Sequence, residues 1–399
     1  MIVNAHASDG EVLWTPDAAQ ARASNVSAFT RFVAERGVVA DDYAALWEWS
    51  VAEPAAFWTH FADWADIPLG GDSGPVFTDE PMRGTRWFPG RTVNYAEQVL
   101  RPGGDATALI AVNENGTTQE ITRKALRDDV AALSAHLRAL GVGQGDRVVG
   151  ILPNVPEAII GRLATASIGA IWSVCAPEFG PGAIISRFAQ LDPKVVLAVP
   201  GYELGGRDRD RSAEVAEVLS ALGSAVEVIW VTRHTKTAPP EVPGARSWEE
   251  ATADPAPLTF AQVEFSTPLW VLFSSGTTGI PKGIVHGHGG ALLEQQKMIR
   301  IHADLHEGDR YLNVASTSWV VWNSLIAALG AGATPILVDG NPTFPSPDRI
   351  WQIAAATRAT ILGVGAGFIH ACAKSDLAPA RAHDLSLDSP MSLGIEWVP

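Results

Sequence analysis

The chain has little cysteine and few charged residues, and both shortages exclude classes of protein. Only two cysteines, Cys175 and Cys372, occur in 399 residues, and they lie too far apart for a disulfide framework, a thiol metal site or a redox pair. Such sparse cysteine is compatible with a reducing compartment, and we expect a cytoplasmic protein. Charged residues make up 18% of the chain and hydrophobic residues 47%, which argues against extended disorder.

Basic residues and long apolar runs are also scarce. The 29 Lys and Arg residues against 44 Asp and Glu give a formal charge of −15, so we expect no nucleic-acid partner and no anionic membrane surface. The most apolar stretch, residues 319–338, is broken by Asn323, by glycines at 330 and 332 and by Pro335, and it predicts a helix, a glycine turn and a strand. Residues 1–10 lack the apolar region of a signal peptide. The oligomeric state stays open.

What the chain does contain is a dense segment of glycine, hydroxyl and lysine at residues 274–283. Glycines let the backbone approach an anion closely, consecutive N–H groups can form a concave nest, and Lys282 adds a compact cation. The pattern predicts a site for a polyanion, most simply the phosphates of ATP; the alternative is a Ser- and Gly-rich surface hairpin. The candidate binding residues are Ser274, Ser275, Gly276, Thr277, Thr278, Gly279 and Lys282.

This segment does not match the usual P-loop. Gly276 lies six positions before Lys282 and Gly279 three before it, and the residue after the lysine is Gly283 instead of Ser or Thr. Residues 284–286 then have the composition of a strand. We therefore expect the loop to join two strands, without the helix dipole on which P-loop proteins rely.

The rest of the sequence alternates strand and helix patterns. The predicted elements are a strand at 108–112, a helix at 123–140, a strand at 148–152, a helix near Pro156 capped by Asn154, a helix at 183–191 and a strand at 194–199. Alternation of this kind predicts an α/β fold of parallel sheets covered by helices. Residues 235–257 are expected to form a surface excursion.

Residues 1–98 differ from the remainder because they are rich in tryptophan. Apolar spacing predicts two helices, separated by Pro54, and we expect the aromatic rings to pack in a core. The tryptophans concerned are Trp14, Trp47, Trp49, Trp58, Trp64 and Trp87.

Several motifs together resemble one enzyme superfamily. Residues 140–149 (LGVGQGDRVV), 152–157 (LPNVPE) and the loop at 274–283 resemble the acyl-adenylate-forming enzymes. Residues 46–51 (LWEWSV), 87–90 (WFPG) and 319–323 (WVVWN) are similar to the branch of AMP-forming acyl-CoA synthetases that activates acetoacetate. The resemblance implies an N-terminal extension at 1–98 and, at 99–399, an AMP-binding domain of mostly parallel sheets that is incomplete at its C-terminal end.

The resemblance also implies a two-step reaction that uses ATP, Mg²⁺ and CoA. A carboxylate attacks the α-phosphate of ATP to give an acyl-adenylate, and the CoA thiol then displaces AMP. Lys282 and Thr278 would be catalytic, Thr278 would bind the metal, and Arg187 would lie near the CoA phosphates. The implied acyl pocket consists of Trp319, Gly363, Gly365 and Ala366.

Some of these assignments have alternatives. Arg187 could form a surface salt bridge, and the small residues at 363–366 could reflect close packing. His286 and His288 could ligate a metal, but no third ligand is evident, and we expect a structural or substrate-adjacent role for them. The acyl substrate could be acetate or another short acid, and a nucleotide-binding module without catalysis is the alternative of another class. The superfamily's adenine, ribose and C-terminal lysine motifs do not occur before Pro399, so we expect these 399 residues alone to make little acyl-CoA.

Overall fold

The computed structural model describes residues 15–82, 84–274, 279–375 and 377–385, and the backbone of 392–396. The described chain begins with helices whose starts follow from capping: the side chains of Asp17, Ser24 and Asp42 accept backbone N–H groups, and Pro54 occupies a first-turn position. The pair of helices predicted around Pro54 is confirmed. The helices are α1 (Ala18–Ala23), α2 (Asn25–Ala34), α3 (Tyr43–Ala52) and α4 (Pro54–Trp64).

Aromatic packing holds these helices against the rest of the protein. Phe29 and Phe61 are fully buried, and Trp49, Trp58, Trp64 and Trp87 pack against the same core, which confirms the expected role of these four rings. The expectation was wrong for Trp47, which is 57% exposed because it lies on the outer face of α3. Trp14 lies outside the described residues.

The remaining elements alternate as the sequence predicts. The first group comprises β1 (Gly70–Gly71), β2 (Arg91–Val93), α5 (Tyr95–Val99), β3 (Thr107–Val112), β4 (Thr118–Thr122), α6 (Arg123–Ala139), β5 (Arg147–Ile151), α7 (Pro156–Ser167), β6 (Ile171–Cys175), α8 (Pro181–Phe188) and β7 (Val195–Ala198). The second comprises β8 (Gly201–Glu203), β9 (Asp208–Asp210), α9 (Ser212–Leu222), β10 (Glu227–Trp230), β11 (Arg246–Ser247), α10 (Trp248–Ala251) and β12 (Val263–Glu264).

The third group comprises β13 (Pro268–Ser274), β14 (Lys282–Gly287), α11 (His288–Lys297), a π-helical turn (Met298–His302), β15 (Arg310–Asn313), α12 (Trp322–Gly330), β16 (Thr334–Val338), α13 (Arg349–Thr357), β17 (Ile361–Gly365), α14 (Ala366–Lys374), α15 (Pro379–Ala382) and β18 (Ser392–Glu396). α12, a turn at Gly332 with φ +84° and β16 confirm the helix, glycine turn and strand expected at 319–338. No helix in the described part of the chain is long and apolar enough to cross a membrane.

Two large sheets organise the fold. The first has the strand order β11-β10-β7-β5-β6-β13-β14 and is parallel except for β14, which pairs antiparallel with β13. The second has the order β18-β17-β15-β16-β3-β4 and is parallel except for β4. The prediction of mostly parallel sheets covered by helices is confirmed.

Two buried helices join these sheets. Every residue of α7 is buried, and α7 packs on β5 and β6 of the first sheet, whereas α12 packs on β15 and β16 of the second. α7 and α12 touch through Arg162, which donates a hydrogen bond to Asn323 Oδ1. A continuous core therefore runs from one sheet to the other.

Two local predictions were wrong. Asn154 does not cap α7: Val155 occupies the cap position, and Asn154 turns toward the second sheet instead. Residues 235–257 are not only a surface excursion, because β11 adds a strand to the first sheet and Trp248 and Ala251 are buried in the core. In both cases tertiary contacts outweigh the local signal.

Candidate active site

The glycine- and hydroxyl-rich loop closes an antiparallel hairpin, as expected. β13 and β14 pair so that Ser274 lies opposite Lys282, and both residues are exposed at the open end. Gly279 has φ +85°, a conformation that residues other than glycine rarely adopt. The remaining predicted contacts, Ser275, Gly276, Thr277 and Thr278, lie outside the described residues.

The segment that directly follows α8 lies beside this hairpin. Gln190 Nε2 donates to the Pro281 carbonyl oxygen at 3.1 Å. Arg187, one turn earlier, donates to the Ala183 carbonyl oxygen at 2.6 Å and lies over the Phe179 ring. No acidic side chain among the described residues forms an ion pair with Arg187, so the structure gives no support there for the surface salt bridge.

The C-terminal ends of parallel strands from both sheets meet at one cavity of about 280 Å³. Loops after such strand ends are where open α/β sheets bind ligands. The first sheet contributes residues that follow β5 and β6, and the second contributes residues that follow β15 and β16. The polar side chains that line the cavity are Asn154, Glu178, Ser316, Thr317 and Asp339.

Asn154 ties the two sheets together at this cavity. Its amide donates to the Val338 carbonyl oxygen at 3.3 Å, and its Oδ1 accepts from Trp322 Nε1 at 2.8 Å. Ser318 Oγ accepts the Ala176 N–H at 2.7 Å. These contacts hold the segment that carries Trp319 against the first sheet.

His234 and Glu157 form a pair of ionisable side chains close to Asp339 of the cavity lining. His234 Nε2 lies 2.8 Å from Glu157 Oε2. Burial favours the neutral form of His234, but the hydrogen bond and charge of Glu157 outweigh burial and raise the pKa of this histidine. Burial raises the pKa of Asp339 to about 6, opposed by the charge of His234 and the N–H of Gly340.

The small residues of the implied acyl pocket lie at the end of β17. A Cβ on Gly363 would come within 3.0 Å of the Asn313 side chain, so close packing explains this glycine. A Cβ on Gly365 would meet nothing within 4 Å, and Ala366, the first residue of α14, is exposed. Trp319 is 63% exposed and follows β15, which is the neighbour of β17. The C-terminal ends of two neighbouring strands of the second sheet therefore lead to Trp319, Gly365 and Ala366.

His286 on β14 and His288 at the start of α11 have structural surroundings. His288 is fully buried, and its Nδ1 accepts the Tyr95 N–H at 3.2 Å. The His286 ring packs against Trp270. Within the described residues, no three His, Cys, Asp or Glu side chains are grouped so that they could hold a metal ion.

Sequence reasoning missed Asn154 as a bridge and Asp339 as a cavity residue. Asp339 directly follows a buried strand, and a polar residue at such a position is a usable signal once the strand is known to be parallel. No sequence signal identifies the partners of Asn154, because they lie 168 and 184 positions further along the chain.

The C-terminal ends of strands from both sheets meet at one cavity, and the glycine- and lysine-bearing hairpin lies at the same end of the first sheet. The profile of AMP-binding enzymes matches residues 95–395, and the chain belongs to this family. A second profile, that of the acetyl-coenzyme A synthetase N-terminus, matches residues 43–99.

Within this family, the chain is similar in sequence and structure to several acetoacetyl-CoA synthetases. The chain is 39% identical over 379 residues to acetoacetyl-coenzyme A synthetase of Rhizobium meliloti and 34% identical over 404 residues to acetoacetyl-CoA synthetase of Gallus gallus, covering 94% and 97% of this chain. The solved structure of acetoacetyl-CoA synthetase from Streptomyces lividans matches with a TM-score of 0.90 and 43% identity over 93% of this chain. The resemblance inferred from the motifs is confirmed. The chain spans 58%, 60% and 58% of the length of these three relatives.

Proposed function

We propose that this chain forms the nucleotide- and acyl-binding part of an acetoacetate–CoA ligase that converts acetoacetate, ATP and CoA to acetoacetyl-CoA, AMP and pyrophosphate. The observation that carries this proposal is the exposed Lys282 opposite Ser274, on a hairpin that lies beside the edge where both sheets end. The names of the relatives supply the acyl substrate, which is the more specific part of the proposal.

The described residues at the hairpin fit a polyphosphate. Lys282 supplies a cation, Ser274 supplies a hydroxyl, and the positive φ of Gly279 turns the backbone as a nest requires. ATP bound here would present its β- and γ-phosphates to Lys282, and this side chain would offset charge that develops on pyrophosphate as it leaves. Mg²⁺ would accompany the nucleotide, with Thr278 as its proposed protein ligand.

Arg187 is proposed to contact the CoA phosphates. It is half-buried on α8, and Gln190, just after the end of this helix, donates a hydrogen bond to Pro281 of the hairpin. Its guanidinium is held by the Ala183 carbonyl oxygen and the Phe179 ring, which limits the side-chain entropy that would be lost when a phosphate binds.

The acyl group is proposed to lie between Trp319 and the edge formed by Gly365 and Ala366. The open space beside Gly365 leaves room for a chain longer than that of acetate. The 3-oxo group of acetoacetate is a hydrogen-bond acceptor that butyrate, of similar size, lacks. A site built around that acceptor leaves polar groups unpaired when butyrate binds.

Binding of non-hydrolysable acyl-adenylates tests the proposal on the protein itself. We expect the acetoacetyl-sulfamoyl adenosine analogue to bind at least about tenfold more tightly than the butyryl or acetyl analogue, a difference of about 1.4 kcal/mol. Equal affinity for the butyryl analogue would remove acetoacetate as the substrate.

The variant Lys282→Ala tests the binding of the β- and γ-phosphates separately from the binding of the acyl-adenylate. It should weaken ATP binding and leave the affinity for the adenylate analogue nearly unchanged, because the analogue lacks the β- and γ-phosphates. Equal losses for both ligands would contradict the phosphate role proposed for Lys282.

A further inference from the structure

A fully buried arginine lies at the contact between α7 and α12. Arg162 is 0% exposed, and one of its terminal nitrogens donates to Asn323 Oδ1. Its Nε and second terminal nitrogen have no hydrogen-bond partner, and no acidic side chain pairs with it among the described residues. A buried charge without a counter-charge costs several kcal/mol, so this position needs an explanation.

Contacts with aromatic rings offset only part of the cost of burying the charge of Arg162. The guanidinium carbon lies 4.0 Å from the centroid of the Trp270 ring, 5.3 Å from that of Tyr95 and 6.0 Å from that of Trp322. Cation–π contacts stabilise a cation, but they occupy ring faces and leave the N–H donors of the guanidinium unpaired. Burial lowers the pKa of Arg162 to about 10, so the side chain still carries its proton at neutral pH.

Several unpaired polar atoms around Arg162 are donors, and His286 Nδ1, which is also buried and unpaired, can donate or accept according to its tautomer. Trp270 Nε1 and Asn323 Nδ2 are both buried without a partner, and each can only donate. His288 completes the set. Its Nδ1 accepts the Tyr95 N–H and therefore carries no proton, which places the ring proton on Nε2, an atom that is also buried and unpartnered.

His288 does not add a second positive charge here. Burial and the nearby charge of Arg162 lower the pKa of His288 to about 4, so the ring is neutral at physiological pH. The surroundings of Arg162 thus combine one positive charge with several N–H donors, and the charged partner that suits them is an anion.

We propose that Arg162, Trp270, His288 and Asn323 form an internal site for a halide-sized monovalent anion, of which chloride is the physiological example. The anion neutralises Arg162 and accepts hydrogen bonds from donors that the protein leaves unpaired. Because Arg162 lies on α7, Asn323 on α12 and Trp270 on β13, the bound ion links both layers of the core to the strand that leads into the candidate phosphate loop. This site is independent of the proposed acetoacetate chemistry.

Anomalous diffraction identifies the ion directly. Crystals of the protein grown in bromide, measured at the bromine absorption edge, should show a peak within hydrogen-bond distance of the two unpaired Arg162 nitrogens. Density without an anomalous signal at that position would identify water and overturn the proposal.

Thermal unfolding tests the site in solution. Chloride replaces gluconate at constant ionic strength, and the wild-type melting temperature should rise and then saturate, by on the order of 3–5 °C at a hundredfold excess over the dissociation constant. Arg162→Met, which fills the aromatic cage without charge, should lose this dependence. A bromide peak without any chloride dependence in solution would mean binding at crystal concentration only, and would also overturn the proposal.

Arg123→Met is the matched control. Arg123 is a second buried arginine, but it donates to the carbonyl oxygens of Leu329, Gly332 and Ala333. Its variant should keep the chloride dependence of the wild type. If Arg162→Met does not fold, Arg162→Lys retains the cation without the planar fork, and its half-saturating chloride concentration should rise at least about tenfold. An unchanged value in Arg162→Lys would contradict the assigned geometry.

Discussion

A single buried carboxylate holds one wall of the candidate active-site cavity, and its replacement should weaken the fold measurably. Glu114 Oε1 accepts the N–H groups of Gly205 at 2.8 Å and Asn341 at 2.6 Å, and its Oε2 accepts the Gly206 N–H at 2.8 Å. Gly205 follows a residue of the cavity lining, and Asn341 lies between two others. The variant Glu114→Gln keeps the shape of the side chain and changes only its hydrogen bonding and charge.

The expected loss of stability in Glu114→Gln follows from these three hydrogen bonds. A glutamine carbonyl in the place of Oε1 keeps two of the N–H groups, but its NH₂ then faces the Gly206 N–H and leaves that donor unpaired. Hydrogen bonds to charged groups contribute about 1.5–3 kcal/mol each. We expect Glu114→Gln to lower the free energy of unfolding by about 2–3 kcal/mol.

The effect should depend on pH in a defined direction. Burial works to raise the pKa of Glu114, but the N–H groups of Asn341, Gly206 and Gly205 and the charge of Arg349 outweigh it, so the pKa lies below its ordinary value of 4.5. The stability contributed by the carboxylate is therefore complete above pH 4.5 and is lost as the pH falls through the lower folded pKa. The gap between wild type and Glu114→Gln should narrow in acid.

Urea unfolding followed by tryptophan fluorescence measures both the loss of unfolding free energy in Glu114→Gln and its dependence on pH. Glu120→Gln serves as the control, because Glu120 is an exposed glutamate on β4 that accepts one hydrogen bond, from Thr107. Hydrogen exchange at Gly205 and Gly206 should accelerate only in Glu114→Gln. The reasoning fails if Glu114→Gln unfolds at the same urea concentration as Glu120→Gln at neutral pH.

Three further outcomes are expected. Lys282→Ala should change the free energy of unfolding by less than about 0.5 kcal/mol while weakening ATP binding, and a large loss of stability in urea would show that this exposed side chain is structural. Gly363→Ala should destabilise by about 1–3 kcal/mol through overlap with Asn313, whereas Gly365→Ala should be nearly neutral, so equal melting temperatures would contradict the packing at β17. Burial and the charge of Arg162 lower the pKa of His288 from 6.5 to about 4 when no anion is bound, so the folded protein holds this proton more weakly than the unfolded chain does. In chloride-free buffer, acidification between these values should therefore cost the wild type roughly 3 kcal/mol more than His288→Gln, and parallel pH–stability curves would refute this.

The sequence determined the elements whose signals are local. Apolar spacing along residues 123–140 predicted α6, and Leu126, Val130, Leu133 and Leu137 are buried on one face as expected. Glycine and hydroxyl density at 274–283, with apolar residues on both sides, predicted a loop between two strands. These features depend on neighbours within a few positions, so they can be identified from a single sequence.

Only the tertiary structure decided which side chains meet. Asn154 precedes Pro156 and is a residue type that often caps helices. It instead forms hydrogen bonds with the Trp322 indole and the Val338 carbonyl oxygen, because the packing of the two sheets brings these groups within reach. Trp47 belongs to the same apolar pattern as Trp49 but lies on the open face of α3, since nothing in the pattern states which side of a short helix is covered. Burial of Arg162 among aromatic rings likewise arises from the packing of α7 and α12 and β13, whose separation along the chain exceeds any local signal. Local propensity is set by nearby residues, whereas the partners of a buried polar group are set by which surfaces the whole fold presses together.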